Sequence, residues 1–547
     1  MTKFEPEIVA MCCNWCGYAG ADLAGVSRVQ YPPNVRIIRV MCSARVEPGH
    51  ILKTLQMGAD GVMVVGCHLG DCHYISGNEK AQQMVGTTKE MLKHLGMEDR
   101  LHLEWVSAAE GAKFGKAVTD FTERVRALGP NPMKRSKHRS LNHRKVPSVD
   151  EVRDSIDEII DSTHVLRCIE CGKCAASCAV TRMEPEYSPM LTVVRAMRNL
   201  ESEITQDKGV WTCTTCGTCS HRCPTGADYL EFVRQVRQLR TGCEGTCSHG
   251  GMFNSLARIM TSPEVKQVDR LDWVAPDMKV AKKGELLYFT GCLPYMDPVF
   301  RATGARSLDT ARGTVRVLNE AGLRPVVMAD ERCCGHDQMW SGEDKGVFSD
   351  LAKMNIEMIR KTGAKRVVAS CPECYRTLAK DYAEHAPGGE LGFEVMHTSE
   401  LFADLMEAGK LKVPANDGGD MTALTFHDPC RLGRHMDVFE PPRKVLEGIP
   451  GVDLREMQGN RGTAVCCGTS AWLNCGTYSK RTQVERLREA RSTGATTMVT
   501  ACPKCLVHFS CTLSEPADPR IPQVSGIGVK DLSVVLAEAM GLMGASA

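Results

Sequence analysis

Eight cysteines between positions 168 and 223 fall into two runs. "CIECGKCAASC" holds Cys168, Cys171, Cys174 and Cys178, and "CTTCGTCSHRCP" holds Cys213, Cys216, Cys219 and Cys223. Both are C-x2-C-x2-C-x3-C, and Pro224 follows the second. Three closely spaced thiolates can wrap three irons of a cubane while the fourth cysteine reaches across to a neighbouring cluster. Cys168, Cys171, Cys174 and Cys223 would then hold one [4Fe–4S] cluster, and Cys213, Cys216, Cys219 and Cys178 the other. A pair of zinc sites is the competing arrangement, but zinc favours two separated C-x2-C pairs.

A second cysteine pattern occurs twice. The first copy runs Cys292, Cys333–Cys334, Cys371 and Cys374; the second runs Cys430, Cys466–Cys467, Cys502 and Cys505. Each vicinal pair is followed by glycine, in "CCGHD" and "CCGTS", and "GAKRVVASCPEC" matches "GATTMVTACPKC". Such self-similarity marks an internal repeat. Each half offers five thiolates, one more than a cubane or a zinc ion needs. Adjacent cysteines strain to chelate one iron but can hold neighbouring irons or bridge them, which points to a non-cubane cluster. A four-cysteine cubane with a spare thiol in each half is the alternative.

Elements must bring these residues together. "EIVAM", "VRIIRVM", "GVMVVG" and "RLHLEWVSA" are short apolar runs separated by helix-like stretches, the pattern of a parallel α/β sheet. Cys12 and Cys13, Cys42 and Cys67 close the first three runs, so they should meet on the sheet edge where open α/β sheets build sites. In the repeat, "LLYFTGC" and "ALTFHDPC" again end on cysteines. The expected fold class is α/β. An N-terminal parallel α/β domain covers 1–130 and a basic linker 131–148. A helical ferredoxin-like two-[4Fe–4S] domain covers 149–250 and a connector 251–283. Two repeated α/β half-domains occupy 284–415 and 416–547, divided near "VPANDGGD".

Composition narrows the setting. The chain has 547 residues, 28 of them cysteine, and a formal net charge of +1, which gives no electrostatic case for a nucleic-acid partner. No stretch reaches the ~20 apolar residues of a membrane span, and "MTKFEPEIVA" does not read as a signal peptide. A cytoplasmic protein with reduced thiols is expected, in which cysteine clusters bind metal or do redox chemistry.

The C-x(n)-CCG-x(n)-C-P-x-C pattern, complete in both halves, resembles the cysteine-rich CCG domains of the heterodisulfide reductase B subunit. The two-cluster segment resembles that enzyme's C subunit. The resemblance covers residues 149–547 and includes all eighteen motif cysteines. It implies two [4Fe–4S] cubanes and two non-cubane [4Fe–4S] clusters, one per five-cysteine set, with a disulfide split between the latter. The ten repeat cysteines are therefore the candidate catalytic residues.

"CCNWCGYAGADLAGVSRVQYPPNVRIIRVMCS" and "GADGVMVVGCHLGDCHY" resemble the delta subunit of methyl-viologen-reducing hydrogenase. That likeness implies a [2Fe–2S] cluster held by four of Cys13, Cys16, Cys42, Cys67 and Cys72. His68 and His73 flank these cysteines, with hydrogen bonding near the cluster and plain structural roles both open. Cys12, Cys243, Cys247, Cys475 and Cys511 fall outside every set. His336, His427 and Arg431 are candidate substrate-pocket groups, Arg431 suiting an anionic substrate, with surface or packing roles equally open.

Together the resemblances imply an iron–sulfur subunit of a heterodisulfide-reductase-like oxidoreductase. It would take electrons from a hydrogenase, formate dehydrogenase or similar donor and deliver them to a disulfide. The sequence has no strand-linked G-x-G-x-x-G. Flavin and electron bifurcation are therefore expected on a partner resembling the flavin-containing A subunit. The alternatives are a CCG subunit of the glycolate- or lactate-oxidising or thiol:fumarate-reductase kind, or a non-catalytic electron relay. The delta-like segment argues against the former.

Overall fold

Each apolar run of the N-terminal part becomes a strand in the computed structural model, which describes residues 4–137, 149–198, 209–239, 247–342, 345–415, 421–473, 475–515 and 518–543. The chain is α/β. It forms two units, Met1–Asn142 with Ser248–Arg270, and His143–Cys247 with Leu271–Ala547. Among the described residues, no helix is long and apolar enough to cross a membrane.

In the first unit, β1 (Ile8–Cys13), β2 (Val35–Val40), β3 (Gly61–Gly66) and β4 (Leu101–Trp105) form a parallel sheet ordered β2-β1-β3-β4. Buried β3 is continuously apolar, whereas edge strand β2 carries arginines, as expected for central and edge positions. Strand alternation sends Cys12 and Cys13 to opposite faces. Cys12 packs with Ile8, Ala10, Phe114 and Phe121 in the core, where burial pushes its thiol up to about 12.

Two connecting segments differ from expectation. The basic linker does not begin at residue 131. Asn131 is buried and donates to the carbonyls of Leu55 and Ala59 at 2.8 and 2.6 Å, Met133 is fully buried, and Lys134 pairs with buried Asp60 at 2.7 Å. A buried carboxylate requires a partner, and this lysine supplies it. Residues 138–148 lie outside the described residues. The connector expected at 251–283 contains a helix, Met252–Met260, with every residue buried; it packs on helix Pro48–Gln56 within the first unit.

The second unit holds the repeat. β5 (Leu286–Phe289), β6 (Arg366–Ala369) and β7 (Glu394–His397) form a parallel sheet ordered β5-β6-β7. Strands β8 (Thr422–His427), β9 (Val452–Leu454), β10 (Thr497–Thr500) and β11 (Gly528–Asp531) form the other, ordered β11-β10-β8-β9. β5, β6 and β7 correspond to β8, β10 and β11, and Val326 bridges Leu287 where β9 lies in the second copy. The halves share one core, in which Tyr288 and Phe402 of the first pack with Phe426 and Leu536 of the second. Residues 416–420, at the expected division between the halves, lie outside the described residues.

Candidate functional site

Corresponding strands hold their cysteines at corresponding offsets. Cys292 and Cys430 each lie three residues beyond the ends of β5 and β8, at Phe289 and His427. Cys371 and Cys502 each lie two residues beyond the ends of β6 and β10, at Ala369 and Thr500. Parallel strands end on one rim, so each five-cysteine set gathers there. In the first half, Cys374 donates to Cys334 at 3.4 Å, and Cys333 and Cys292 are neighbours of Cys334. In the second, Cys466 touches Cys430 and Cys467, and Cys505 touches Cys467 and Cys502. The glycine of each CCG, Gly335 or Gly468, takes φ of +80° or +78°, a left-handed turn open to glycine at little strain.

The second cysteine of each vicinal pair differs from the first. Hydrogen bonds from Cys333 and Cys374 hold the Cys334 thiol well below its usual range. Cys466 and Cys505, with His508 at 3.4 Å, do the same for Cys467. Cys333 and Cys466 are raised, chiefly by bonding to neighbouring thiols. Each rim thus gathers soft sulfur donors around one cysteine whose ionised form is favoured, a set of the kind that binds Fe–S clusters, zinc or Cu(I). Gly291 confirms the crowding, since a Cβ there would lie 3.0 Å from the Cys374 sulfur.

The two-run segment packs against the second half. Cys213, Cys216 and Cys219 line a small enclosed cavity together with Cys178 of the other run, under Tyr187 and Tyr229. Cys216 also touches Cys466. In the other group, Cys168 and Cys171 are electrostatic neighbours of Cys174, and Cys168 and Cys223 border one apolar core.

In the first unit, Cys13 and Cys67 sulfurs lie 3.7 Å apart, Cys16 touches Cys67, and Cys42 touches Cys72. All five converge at the sheet edge. His68 is taken by Glu110 at 2.6 Å, and His73 stacks on Trp15 at 3.8 Å. Both have partners other than sulfur.

Of the two roles open to Arg431, the structure gives it the packing one. It is 2% exposed and donates to His336 at 3.0 Å, to the Thr215 hydroxyl at 2.7 Å and carbonyl, and to Ser470 at 3.1 Å. It also lies 4.3 Å over the Trp340 ring. Its donors join the two-run segment to both halves and leave none for a substrate anion. His427 is likewise buried and accepts from Arg486 at 3.1 Å.

Sequence reasoning missed Glu373, Lys504 and Arg434. Glu373 and Lys504 occupy the variable position of "CPEC" and "CPKC", and they pair with each other across the two halves. Aligning the repeats for opposite charge would have found them.

His397 fastens the Cys371 loop. Its Nε2 donates to the Ser370 carbonyl at 3.1 Å, and its Nδ1 accepts from Ser399. Burial lowers its pKa from 6.5 to about 4. A depressed folded-state value gives stability that is present above pH 6.5 and lost as pH falls toward 4. Up to about 3 kcal/mol should disappear across that window, and His397→Gln should flatten this part of the stability–pH curve. Denaturant unfolding at a series of pH values measures it.

Comparison with known proteins follows the same divisions. The methyl-viologen-reducing hydrogenase delta subunit model matches residues 8–129, and the 4Fe-4S dicluster domain matches 164–227. The cysteine-rich domain matches 286–379 and 424–510. The D subunit of the dihydromethanophenazine:CoB–CoM heterodisulfide reductase of Methanosarcina acetivorans is 33% identical over 425 residues, 73% of this chain and 99% of that protein. The iron-sulfur D subunit of the F420-non-reducing hydrogenase vhc of Methanococcus voltae is 55% identical over 133 residues, 24% of this chain and 92% of that protein. The A subunit of the ferredoxin:CoB-CoM heterodisulfide reductase of Methanosarcina mazei is 48% identical over 126 residues, 23% of this chain and 16% of that protein. With nearly the whole of a heterodisulfide reductase D subunit aligned and its 4Fe–4S and cysteine-rich domains in place, this chain is an iron–sulfur oxidoreductase belonging to the family of those D subunits.

Proposed function

We propose that this chain reduces a disulfide between its two five-cysteine sets. Electrons would enter through the delta-like unit from a hydrogenase, formate dehydrogenase or similar donor, by way of a flavin-containing partner resembling the A subunit, where bifurcation takes place. Cys13, Cys16, Cys42, Cys67 and Cys72 would supply a [2Fe–2S] site. Cys168, Cys171, Cys174 and Cys223, and Cys213, Cys216, Cys219 and Cys178, would hold two cubanes. The two repeat sets would hold non-cubane [4Fe–4S] clusters. When bound, these clusters supply single electrons and iron that can take sulfur.

The observation that carries the reading is the convergence of five thiols at each of two equivalent rims, tied together by the Lys504–Glu373 pair. A disulfide needs two electrons and releases two sulfurs, and paired rims give each sulfur its own place. The contact of Cys216 with Cys466 favours entry of electrons at the second half. The match to the M. mazei A subunit supports the partner, because a stretch like part of this chain is built into that protein.

Anaerobic protein should contain iron and labile sulfide in its C-terminal half and should reduce a disulfide with reduced viologen. Cys334→Ala and Cys467→Ala should each lower turnover more than about 100-fold, beyond what loss of a supporting residue costs. Zinc in place of iron, or turnover that survives both changes, would refute the reading.

A further inference from the structure

The repeat breaks its own symmetry four residues past the first cysteine of each set. "CLPYM" puts Met296 after Cys292, and "CRLGR" puts Arg434 after Cys430. Met296 is buried with its sulfur 3.4 Å from the Cys292 thiol. In the second half a cation takes that place, in the half that touches the two-run segment.

Arg434 stitches three cysteine-bearing segments. Its Nε donates to the Cys216 carbonyl at 2.8 Å, and its Nη1 to the carbonyls of Ala464 at 2.7 Å and Gly462 at 3.4 Å, just before Cys466. Its Nη2 is shut off from solvent and has no well-aligned hydrogen-bond acceptor among the described residues. Burial opposes the charge on this guanidinium, and the neighbouring sulfurs of Cys216, Cys430 and Cys466 outweigh it. Burying an N–H without a well-aligned acceptor is unfavourable, so this guanidinium, set among cysteine sulfurs with Cys216 its nearest side-chain partner, is placed to donate to sulfur. The neighbouring cysteines, Cys216 on one side and Cys430 and Cys466 on the other, belong to the donor sets of two proposed iron–sulfur sites, and inorganic sulfide or cysteinyl sulfur is the acceptor such sites offer. Hydrogen bonds and charge near cluster sulfur are the protein's levers on reduction potential.

We propose that Arg434 tunes the iron–sulfur site of the second half, donating through Nη2 to its sulfur and raising its electron affinity above that of the Cys292 set, where Met296 stands. This rests on the proposed function. Arg434 itself gains and loses neither electron nor proton; it is a fixed charge and donor at the junction with Cys216.

The test uses full-length anaerobic protein carrying Arg434→Met, which copies the first half, Arg434→Gln and Arg434→Lys. Iron and sulfide are quantified, and each site's potential is followed by electron paramagnetic resonance during redox titration. The signal lost in Cys467→Ala identifies the second-half site. Arg434→Met and Arg434→Gln should keep wild-type iron, shift that site to a more negative potential and leave the first-half site unmoved. Turnover should fall about 10- to 100-fold with KM unchanged. Arg434→Lys should recover most of the shift. Should Met fail to assemble, Gln and Lys carry the same comparison. Unchanged potentials, or equal shifts at both sites, would overturn the proposal; a wild-type protein without iron there would instead refute the proposed function.

Discussion

Lys504→Ala is expected to destabilise the protein by about 3–5 kcal/mol, the cost of removing one partner from a buried ion cluster. Lys504 is 4% exposed, and its ammonium lies between the carboxylates of Asp337 and Glu373, themselves 8% and 7% exposed. It also sits 5.0 Å over the Trp472 ring. Lys504 and His336 hold the Asp337 carboxyl well below its usual range despite burial. Truncating the lysine leaves two buried carboxylates to share His336, whose Nδ1 lies 3.3 Å from each. Replacing Lys504, Asp337 and Glu373 together with apolar residues of similar size should cost far less, because no charge is then stranded. Denaturant unfolding of both variants makes the comparison. A loss under about 1 kcal/mol for Lys504→Ala would mean that the carboxylates reach solvent or take up protons readily. The cluster ties "CPEC" to "CPKC", so the single variant should also loosen the two cysteine loops against each other.

Much of this arrangement was legible because the cysteines sit at fixed offsets from apolar strands. A run such as "LLYFTGC" states both that a strand ends and that a thiol follows, and the second copy repeats it in "ALTFHDPC". The parallel order of the sheets then delivers the sets to their rims. What stayed hidden depends on partners distant in sequence. Arg431 reads as a free cation beside Cys430, yet its acceptors include Thr215, two hundred and sixteen residues earlier. "MFNSLARIM" reads as amphipathic, which says that a face is buried but not that helix Pro48–Gln56 buries it. The basic composition after residue 130 looked like a solvated tether because Asp60, the buried acid that Lys134 neutralises, lies far upstream.

Gly77→Ala should remove the iron–sulfur site proposed for the N-terminal unit and leave those proposed for the second unit intact. Gly77 opens helix Gly77–Lys93, and a Cβ there would lie 2.4 Å from the Cys42 sulfur and 3.1 Å from that of Cys72. Sulfur and methyl carbon cannot share the shorter distance, so the Cys42 sulfur must move, and that of Cys72 must give by a few tenths of an ångström. Burial opposes ionisation of Cys72, but N–H groups of Tyr74, Asn78 and Gly77 win and lower its pKa. Cys72 therefore sits at the start of this helix, where partial positive charge favours its ionised form. Displacing it forfeits that stabilisation as well as the ligand geometry. Iron should fall by about two atoms per chain if the site holds a [2Fe–2S] cluster. Viologen-driven disulfide reduction, which enters downstream, should persist while reduction through a protein donor disappears. Gly86→Ala on the same helix is the control, since its Cβ meets nothing within 4 Å. It should keep full iron and gain about 0.5–1 kcal/mol from helix propensity. A Gly77→Ala protein with undiminished iron and an unchanged N-terminal signal would mean that Cys42 and Cys72 do not serve one metal site together.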